Sequence, residues 1–378
     1  MLARLVPRAV VPVLAGILTL ATGLVPAQAA SSPGWRITKI LPVSSDLDSV
    51  AATAAADAWA AGFSCGNPCA NASLLVDRWN GTAWRGISAP SDVPASVGSA
   101  VVAASSASNA WVFAGISGGV DYTDALHWTG GAWATTTQFP AWVGITSAVA
   151  PSRTDAWAFG QFIFPYAPYV AHYDGTSWSQ VAFPIAPAKS SASSPSNVWV
   201  IGQTLATPST PPQVTTMHWD GQSWQQVPLP PITLPTGDNM QPAGILAVTP
   251  NNVWADAILT AGEGVAPGAV LLHWNGKAWS QVTVPYPTYQ PGSLAQDGHN
   301  GIWLSVYGDA TENYNPYLVH DVNGHWSRIA VPAATGYTTQ LSMLSWIPGT
   351  HSVWAVGNTF PVQNTNGISQ GIILKDGN

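Results

Sequence analysis

The chain has 378 residues, only 8% of them charged, and its formal net charge is −7. This acidic, lysine-poor balance argues against nucleic acid and anionic membranes as partners. Abundant glycine, proline and tryptophan with so few charges exclude long solvated helices and favour many short strands joined by tight turns.

The first 29 residues have the pattern of a secretory signal peptide. Arg4 and Arg8 precede an apolar stretch over residues 9–25, and Ala27-Gln28-Ala29 is a small-residue cleavage site. A membrane anchor is the alternative, but Pro12 interrupts the stretch, which is short for a bilayer span. We expect cleavage to release a secreted, extracellular protein without membrane insertion. Loss of the two arginines changes the formal net charge from −7 to −9.

A tryptophan motif recurs along the mature chain. Asp, Asn, Ser or Gly stands two positions before each of seven tryptophans: Trp59, Trp111, Trp157, Trp199, Trp254, Trp303 and Trp354. Their separations, 42 to 55 residues, suit one four-stranded unit each. Seven units fill residues 30–378 and leave no room for a second domain.

A second motif follows each of the first five tryptophans at about twenty residues. His-Trp-Asp-Gly-Gln-Ser-Trp at 218–224 and His-Trp-Asn-Gly-Lys-Ala-Trp at 273–279 are examples. Asn-Gly or Asp-Gly between two apolar runs is a strong hairpin signal, because these residues tolerate positive φ. Each unit is therefore predicted to hold four antiparallel strands, A to D. The tryptophan motif lies on strand B, and the hairpin joins strands C and D.

The last unit reaches Asp376-Gly377 without a strand D, and the missing strand matches the start of the mature chain. Trp35 and the following residues to Pro42 have the tryptophan, spacing and terminal proline of the other D strands. We therefore predict an all-β, seven-bladed β-propeller of four-stranded blades, closed by the N-terminal strand completing the last blade. Such closure removes the exposed edge of an open array. We expect a monomer.

The hairpin Tyr173-Asp-Gly-Thr-Ser-Trp178, together with a glycine that closes strand B, resembles the kelch repeat of the galactose-oxidase-like propellers. The glycines are Gly62, Gly115, Gly160, Gly202 and Gly357. The chain is most similar to the tryptophan-rich, kelch-like propellers of secreted bacterial proteins. It departs from the kelch pattern in having one glycine where kelch units have two, and a shorter turn. The resemblance implies a fold and no activity, because the matching residues are all scaffold.

Two enzymatic chemistries found on propellers are not expected. The galactose oxidase site needs a cysteine cross-linked to a tyrosine, whereas the two cysteines here, Cys65 and Cys69, lie four residues apart in one loop. In an exported protein such a pair is predicted to form a small disulfide. The mature chain also lacks the spaced arginines and Asp boxes of sialidases. We expect no metal and no cofactor.

Five histidines share one register position at the end of strand C, and we interpret them as structural. They are His127, His172, His218, His273 and His320, with Arg78 at the same position in the first unit. A residue type that recurs in register is fixed by packing. The polar residues at the start of strand B, such as Asp57 and Asn109, are predicted to cap the A–B turn.

The variable loops hold the candidate ligand-binding residues. The B–C and D–A connections share one face of the ring and differ in every blade. Their aromatic and acidic residues are Asp121, Tyr122, Asp124, Trp142, Phe164, Tyr166, Glu312, Tyr314 and Tyr317. Aromatic faces beside carboxylates can stack on sugars and hydrogen-bond to them. The alternative is that these rings only pack the loops together.

We therefore predict a secreted, non-catalytic binding module for carbohydrate or an extracellular protein, using this variable face. The alternative is a secreted glycoside hydrolase or lyase with Asp121, Asp124, Asp309 and Glu312 as candidate acids, recognisable by two carboxyl groups roughly 5–10 Å apart. A second alternative is a scaffold for protein–protein contact, which predicts a flat apolar face without a pocket.

Overall fold

The structure, a computed structural model, describes residues 34–65, 71–207, 209–233, 239–260, 268–286, 290–307, 315–362 and 369–377. These residues form seven four-stranded antiparallel sheets and no helix. In each sheet the strands follow in the order A, B, C, D from the ring axis outward. The predicted seven-bladed β-propeller is confirmed.

The blades contain 28 strands, numbered in chain order. The A strands are β2 (Ser45–Ala54), β6 (Val97–Ser106), β10 (Val143–Ser152), β14 (Ile185–Ser194), β18 (Asn239–Thr249), β22 (Gln290–Gln296) and β26 (Tyr337–Trp346). The B strands are β3 (Asp57–Cys65), β7 (Asn109–Ile116), β11 (Asp155–Phe162), β15 (Asn197–Thr204), β19 (Asn252–Thr260), β23 (Ile302–Tyr307) and β27 (Val353–Pro361). The C strands are β4 (Ala72–Trp79), β8 (Tyr122–Trp128), β12 (Ala167–Tyr173), β16 (Val214–Trp219), β20 (Gly268–Trp274), β24 (Tyr317–Val322) and β28 (Gln370–Asp376). The D strands are β5 (Trp84–Gly86), β9 (Trp133–Gln138), β13 (Trp178–Val181), β17 (Trp224–Val227), β21 (Trp279–Val282), β25 (His325–Ala330) and β1 (Arg36–Val43).

The N-terminal strand closes the ring, as predicted. β1 pairs antiparallel with β28, so the seventh sheet has the order β1-β28-β27-β26. The pairing joins Arg36 to Lys375 at one end and Val43 to Gln370 at the other. Strands from the two ends of the chain therefore share one ladder, and the seventh blade leaves no bare C strand.

The recurring tryptophans form the cores between blades. The strand-B tryptophan of one blade packs against the aromatic pair at the C–D hairpin of the next: Trp59 lies 5.1 Å from Trp128 and 5.2 Å from Trp133, centroid to centroid. The same contact crosses the closure, where Trp354 lies 5.0 Å from Trp84 of the first blade. A tryptophan on strand B is thus needed once per blade, because each inter-blade space has the same shape.

The C–D turns have the geometry that Asn-Gly and Asp-Gly predict. The turn glycine has positive φ in six blades: Gly81, Gly130, Gly175, Gly221, Gly276 and Gly324. In four of these turns the preceding Asn or Asp side chain accepts hydrogen bonds from the backbone N–H groups two and three residues on, as Asp174 does from Thr176 and Ser177. Hydrogen bonds from the Thr176 hydroxyl and from these N–H groups lower the pKa of Asp174 to about 2.

The glycine that ends strand B is required by a bulge in strand A. In the third blade the register of β10 shifts between Ile145 and Ser147, and a Cβ on Gly160 would meet the carbonyl oxygen of Gly144 at 2.0 Å. Gly62, Gly202 and Gly357 meet a strand-A carbonyl in the same way. Because that neighbour is backbone, it cannot rotate out of the way.

Gly160→Ala is expected to destabilise the protein by about 1–3 kcal/mol, the usual cost of overpacking a close contact. The matched control is Gly131→Ala in the second C–D turn, where a Cβ would meet nothing within 4 Å. Urea unfolding of both variants measures the difference. Equal midpoints for the two would show that strand A absorbs the extra methyl, contrary to this explanation.

Candidate functional site

The ring has two faces of different character. On one, called the turn face, the A–B and C–D connections meet: the Trp79 indole donates to the Ala55 carbonyl and the Trp128 indole to Ala107. On the other, called the loop face, the D–A and B–C connections meet. The Ile163 N–H donates to the Trp142 carbonyl there. The variable loops therefore share the loop face.

The register histidines are held inside the blades. Each histidine Nε2 lies 2.7–3.0 Å from a side-chain oxygen of the blade: His127 with Asn109, His172 with Asp155, His218 with Asn197, His273 with Asn252 and His320 with Asp297. Each ring also stacks on the strand-B tryptophan, at centroid distances of 3.9–4.4 Å. Five copies of the same partly buried contact cannot make one unique site.

The polar residue at the start of strand B does more than the predicted cap. Asn109 donates to the Ser105 hydroxyl and Asn197 to Ser193, which are contacts at the turn. The side-chain oxygen of each asparagine, however, pairs with the histidine of strand C. In the first blade Asp57 pairs instead with Arg78, whose guanidinium lies 4.7 Å from the Trp59 ring. The cation replaces the imidazole in the same stack.

Two candidate rings are the most exposed aromatic side chains of the described residues. Phe164 is 77% exposed and Tyr166 is 62% exposed, both in the B–C loop of the third blade. Ile163 in that loop and Val120 in the neighbouring B–C loop are also exposed. Trp142 lies between the two loops. We call these five residues the aromatic patch.

Trp142 ties the two loops of the patch together. It adopts a left-handed conformation with φ of 67°, rare for a bulky residue. Its N–H donates to the Asp121 carbonyl, and its own carbonyl accepts from Ile163 N–H at 2.7 Å. The indole is half-buried and has no ring contact among the described residues. The backbone of the patch is thus fixed on both sides while its rings face outward.

The other candidate residues do not join this patch. Asp121 is half-buried, and its carboxylate accepts from Gly118 N–H at 3.4 Å. Tyr122 packs on the core of the first two blades, and burial, then the charge of Asp124, raises its pKa. Asp124 is buried, and burial followed by the charge of Asp92 raises its pKa.

Tyr317 lies in the interior of the sixth blade. It is 4% exposed, and the Arg328 guanidinium lies 3.8 Å from its ring centroid. Glu312, Tyr314 and Asp309 fall outside the described residues. Cys65 ends β3, and Cys69 also falls outside the described residues, so the disulfide stays a prediction.

Exposed apolar side chains concentrate on the loop face. Nine large ones are exposed among the described residues, and all except Ile40 lie in loop-face connections or at strand ends beside them: Val43, Val120, Ile163, Phe164, Tyr166, Leu205, Tyr337 and Val362. Scattered apolar residues are normal on a surface, but clustering on one face marks a contact site.

The seven A strands surround a central channel, which holds a cavity of about 530 Å³. Neighbouring blades are separate sheets, so a strand-A N–H group that points toward the next blade has no backbone partner there. Serine hydroxyls of the preceding blade accept hydrogen bonds from several of these N–H groups. These contacts are Ser49 with Val102, Ser147 with Ser190, Ser191 with Ala247, Ser293 with Leu344 and Ser345 with Ala52. The serines of the A strands thus join neighbouring blades around the channel.

The fifth blade departs from this pattern. Gly244 occupies the register of Ser49 and Ser147, and it pairs with Asp256 of β19. A Cβ on Gly244 would lie 2.6 Å from Asp256 Oδ1, so the carboxylate takes the space of the absent side chain. Asp256 is fully buried, and neither oxygen has a hydrogen-bond partner among the described residues. Burial raises its pKa to about 7.

Two charged side chains line the channel itself. Asp48 accepts the N–H of Ala100, and burial raises the pKa of Asp48 to about 6. Burial lowers the pKa of Lys189, while the charge of Asp256 opposes that shift. Sequence reasoning missed all three groups. Comparison of the strands in register reveals two of them. Lys189 stands where β2 and β10 have serine. Asp256 stands where other B strands have apolar residues or serine.

The described residues contain no group of three or more His, Cys, Asp or Glu side chains able to hold a metal ion. In the same part of the chain, no helix is long and apolar enough to span a membrane.

No protein-family model matches the chain, and no curated protein sequence matches it. Solved propellers are similar in fold. A xyloglucanase from Xanthomonas campestris is 14% identical with a TM-score of 0.56, and the match covers 85% of this chain and 53% of that one. The chain thus spans about half of the xyloglucanase.

Two further structures match over most of their own length. An ulvan lyase, a polysaccharide lyase, is 9% identical with a TM-score of 0.54, and the match covers 85% of this chain and 93% of that one. The β-propeller domain of the trilobed protease from Pyrococcus furiosus is 7% identical with a TM-score of 0.50, covering 86% and 93%. These likenesses show the fold. None of the three is a kelch protein or a galactose oxidase, so the kelch assignment stays a prediction.

Proposed function

We propose that this protein is a secreted, non-catalytic carbohydrate-binding propeller, whose aromatic patch stacks on the apolar faces of sugar rings. The observation that carries the proposal is the exposure of Phe164 and Tyr166 on a loop whose backbone is fixed through Trp142. Two of the similar structures are named as enzymes that act on polysaccharides, which is compatible with a carbohydrate ligand.

The chemistry of the patch suits a neutral glycan. Aromatic rings present a flat apolar surface, while the phenol of Tyr166 and the indole N–H of Trp142 supply hydrogen-bonding groups at its edge. The patch carries no charge, and the chain is acidic overall with a formal net charge of −7. A polyanionic glycan would meet repulsion from that charge without a cation in the patch to offset it.

Phe164→Ala and Tyr166→Ala are each expected to weaken glycan binding by about tenfold, the loss of one aromatic stacking contact with its buried area. A glycan array on the mature protein identifies the ligand, and calorimetry with that glycan measures the change. Both side chains are exposed, so the melting temperature should stay within a few degrees of wild type.

Two control variants separate the patch from the rest of the ring. Tyr337→Ala removes an exposed ring from the loop face in the seventh blade and should leave binding unchanged. His218→Ala breaks the contacts to Asn197 and Trp199, and should lower the melting temperature without changing affinity. Loss of binding in His218→Ala at unchanged stability would place the ligand elsewhere and reject the patch.

The fate of the glycan tests the non-catalytic part of the proposal. Incubation of the bound glycan with the mature protein should return it unaltered, as seen by mass spectrometry. A shortened or unsaturated product would favour the hydrolase or lyase alternative. Secretion is tested separately, because N-terminal sequencing of protein from the culture medium should give a start near Ala30. An intact Met1 would contradict the signal peptide.

A further inference from the structure

The central channel is chemically different at its two ends. Each A strand starts at the loop face and ends at the turn face. Asp48 is the fourth residue of β2 and Lys189 the fifth residue of β14, so both charges belong to the half of the channel that begins at the loop face. The turn-face half is lined by small and apolar side chains, among them Ala52, Val149 and Leu246.

The two charges lie on opposite walls. Asp48 belongs to the first blade and Lys189 to the fourth, and three blades apart is the greatest separation in a ring of seven. Lys189 forms no hydrogen bond or ion pair with any described residue, and Asp48 has only the Ala100 N–H. Each charged group is therefore left to bind something inside the channel.

Asp256 is not in ion-pair contact with Lys189, although its charge favours the charged form of the lysine. Its carboxylate lies behind Gly244, fully buried, and forms no ion pair with the lysine. Burial raises its pKa to about 7, so near neutral pH a large fraction of Asp256 is uncharged. Two charged groups therefore face the channel, the Lys189 ammonium and the Asp48 carboxylate, and their formal charges cancel.

We propose that the channel binds a di- or tripeptide with free termini and an apolar side chain, its carboxylate on Lys189, its ammonium on Asp48 and its side chain toward the turn face. This goes beyond the carbohydrate site, which lies in different residues. A simple anion would be repelled by Asp48 and a simple cation by Lys189, whereas an uncharged ligand would leave both charges desolvated and unpaired.

The ligand has to hold its two charges apart, because Asp48 and Lys189 belong to opposite blades of the ring. The ammonium and carboxylate of a single amino acid are carried by one carbon, too close to reach two opposite walls. Two or three residues extend over roughly 7–10 Å. A cavity of about 530 Å³ accommodates such a peptide.

Calorimetry with three matched peptides tests the proposal: glycyl-leucine, its N-acetyl form and its C-terminal amide. Glycyl-leucine should bind at least about tenfold more tightly than either capped form, because each cap removes one charge-assisted contact. No heat of binding at millimolar glycyl-leucine, or equal affinity for all three peptides, would overturn the proposal.

Substitutions in the channel assign each end of the peptide. Lys189→Met should abolish the preference for a free carboxylate while keeping the preference for a free amine. Asp48→Asn should do the reverse, and its amide oxygen still accepts the Ala100 N–H. Lys277→Met removes a lysine from an exposed C–D turn and should bind all three peptides like wild type.

The substitution results stand independently of each other and of the glycan site. If Lys189→Met melts far below wild type, Asp48→Asn alone tests the peptide site. Loss of the discrimination against the N-acetyl peptide in Asp48→Asn supports the site. Retained discrimination overturns it. Phe164→Ala should bind glycyl-leucine normally. Failure of glycan binding with normal peptide discrimination would reject the proposed function and leave the channel site standing.

Discussion

Deletion of residues 31–42 is expected to destabilise this protein more than any single substitution. The deletion removes most of β1 and leaves β28 as a bare edge in the seventh blade. It also removes Leu41, 5% exposed in the core, and Trp35, whose ring lies 5.3 Å from Trp303. We expect the truncated chain to aggregate or to melt many degrees lower, as measured by calorimetry.

A single substitution tests the same closure more finely. Trp35→Ala is expected to lower the free energy of unfolding by about 3–5 kcal/mol, the usual cost of truncating a large aromatic side chain in a core. Trp142→Ala is the matched control, because that indole is half-buried and outside the inter-blade cores. If the truncated protein, or Trp35→Ala, melted within a few degrees of wild type, the ring would not depend on β1.

The fold was predictable from the sequence because its determinants repeat. A tryptophan on strand B recurs in all seven blades and a hairpin between strands C and D in the first six, since aromatic rings from these two motifs fill the spaces between blades. The D strand of the last blade was recognisable at the other end of the chain for the same reason: Trp35 has the spacing to Pro42 that Trp133 has to Pro140.

The binding residues were predictable only in part. Loop composition identified Phe164 and Tyr166, which are exposed, but gave equal weight to Asp124 and Tyr317, which are buried. Both of these lie in C strands, and their burial depends on the packing of the neighbouring blade. A sequence reveals the strand but not the depth of each residue along it, so it does not distinguish the first residues of a C strand from the loop before them.

The channel groups were missed for a different reason. Asp48, Lys189 and Asp256 belong to three blades and come near one axis only because the ring closes. Pattern reasoning looked for residues that repeat, and these three stand out because they break the repeat. Comparing each A strand position by position would have found the charge at Lys189 and the missing side chain at Gly244.

Asp256→Asn is expected to stabilise the protein above neutral pH and to have little effect near pH 4. In the folded protein burial raises the pKa of Asp256 from 3.8 to about 7. Below about pH 4 both folded and unfolded chains hold the proton, and the carboxyl group has no pH-dependent cost. As pH rises toward 7 the unfolded chain ionises first, so stability is lost progressively. That loss amounts to up to about 4 kcal/mol for a shift of roughly three units.

Asp77 is a second buried carboxylate and serves as the comparison, because unlike Asp256 it has a charged partner. Asp77 is 1% exposed, and both its oxygens accept from the Lys39 ammonium, at 2.7 and 2.8 Å. Asp77→Asn leaves that lysine without its counter-charge and should lower stability at pH 8, opposite in sign to Asp256→Asn. Urea unfolding of wild type and both variants at about pH 4 and pH 8 measures the four differences. If Asp256→Asn also lost stability at pH 8, the carboxylate would have to be ionised and paired in the folded protein, and Lys189, the nearby cation, would no longer face the channel alone.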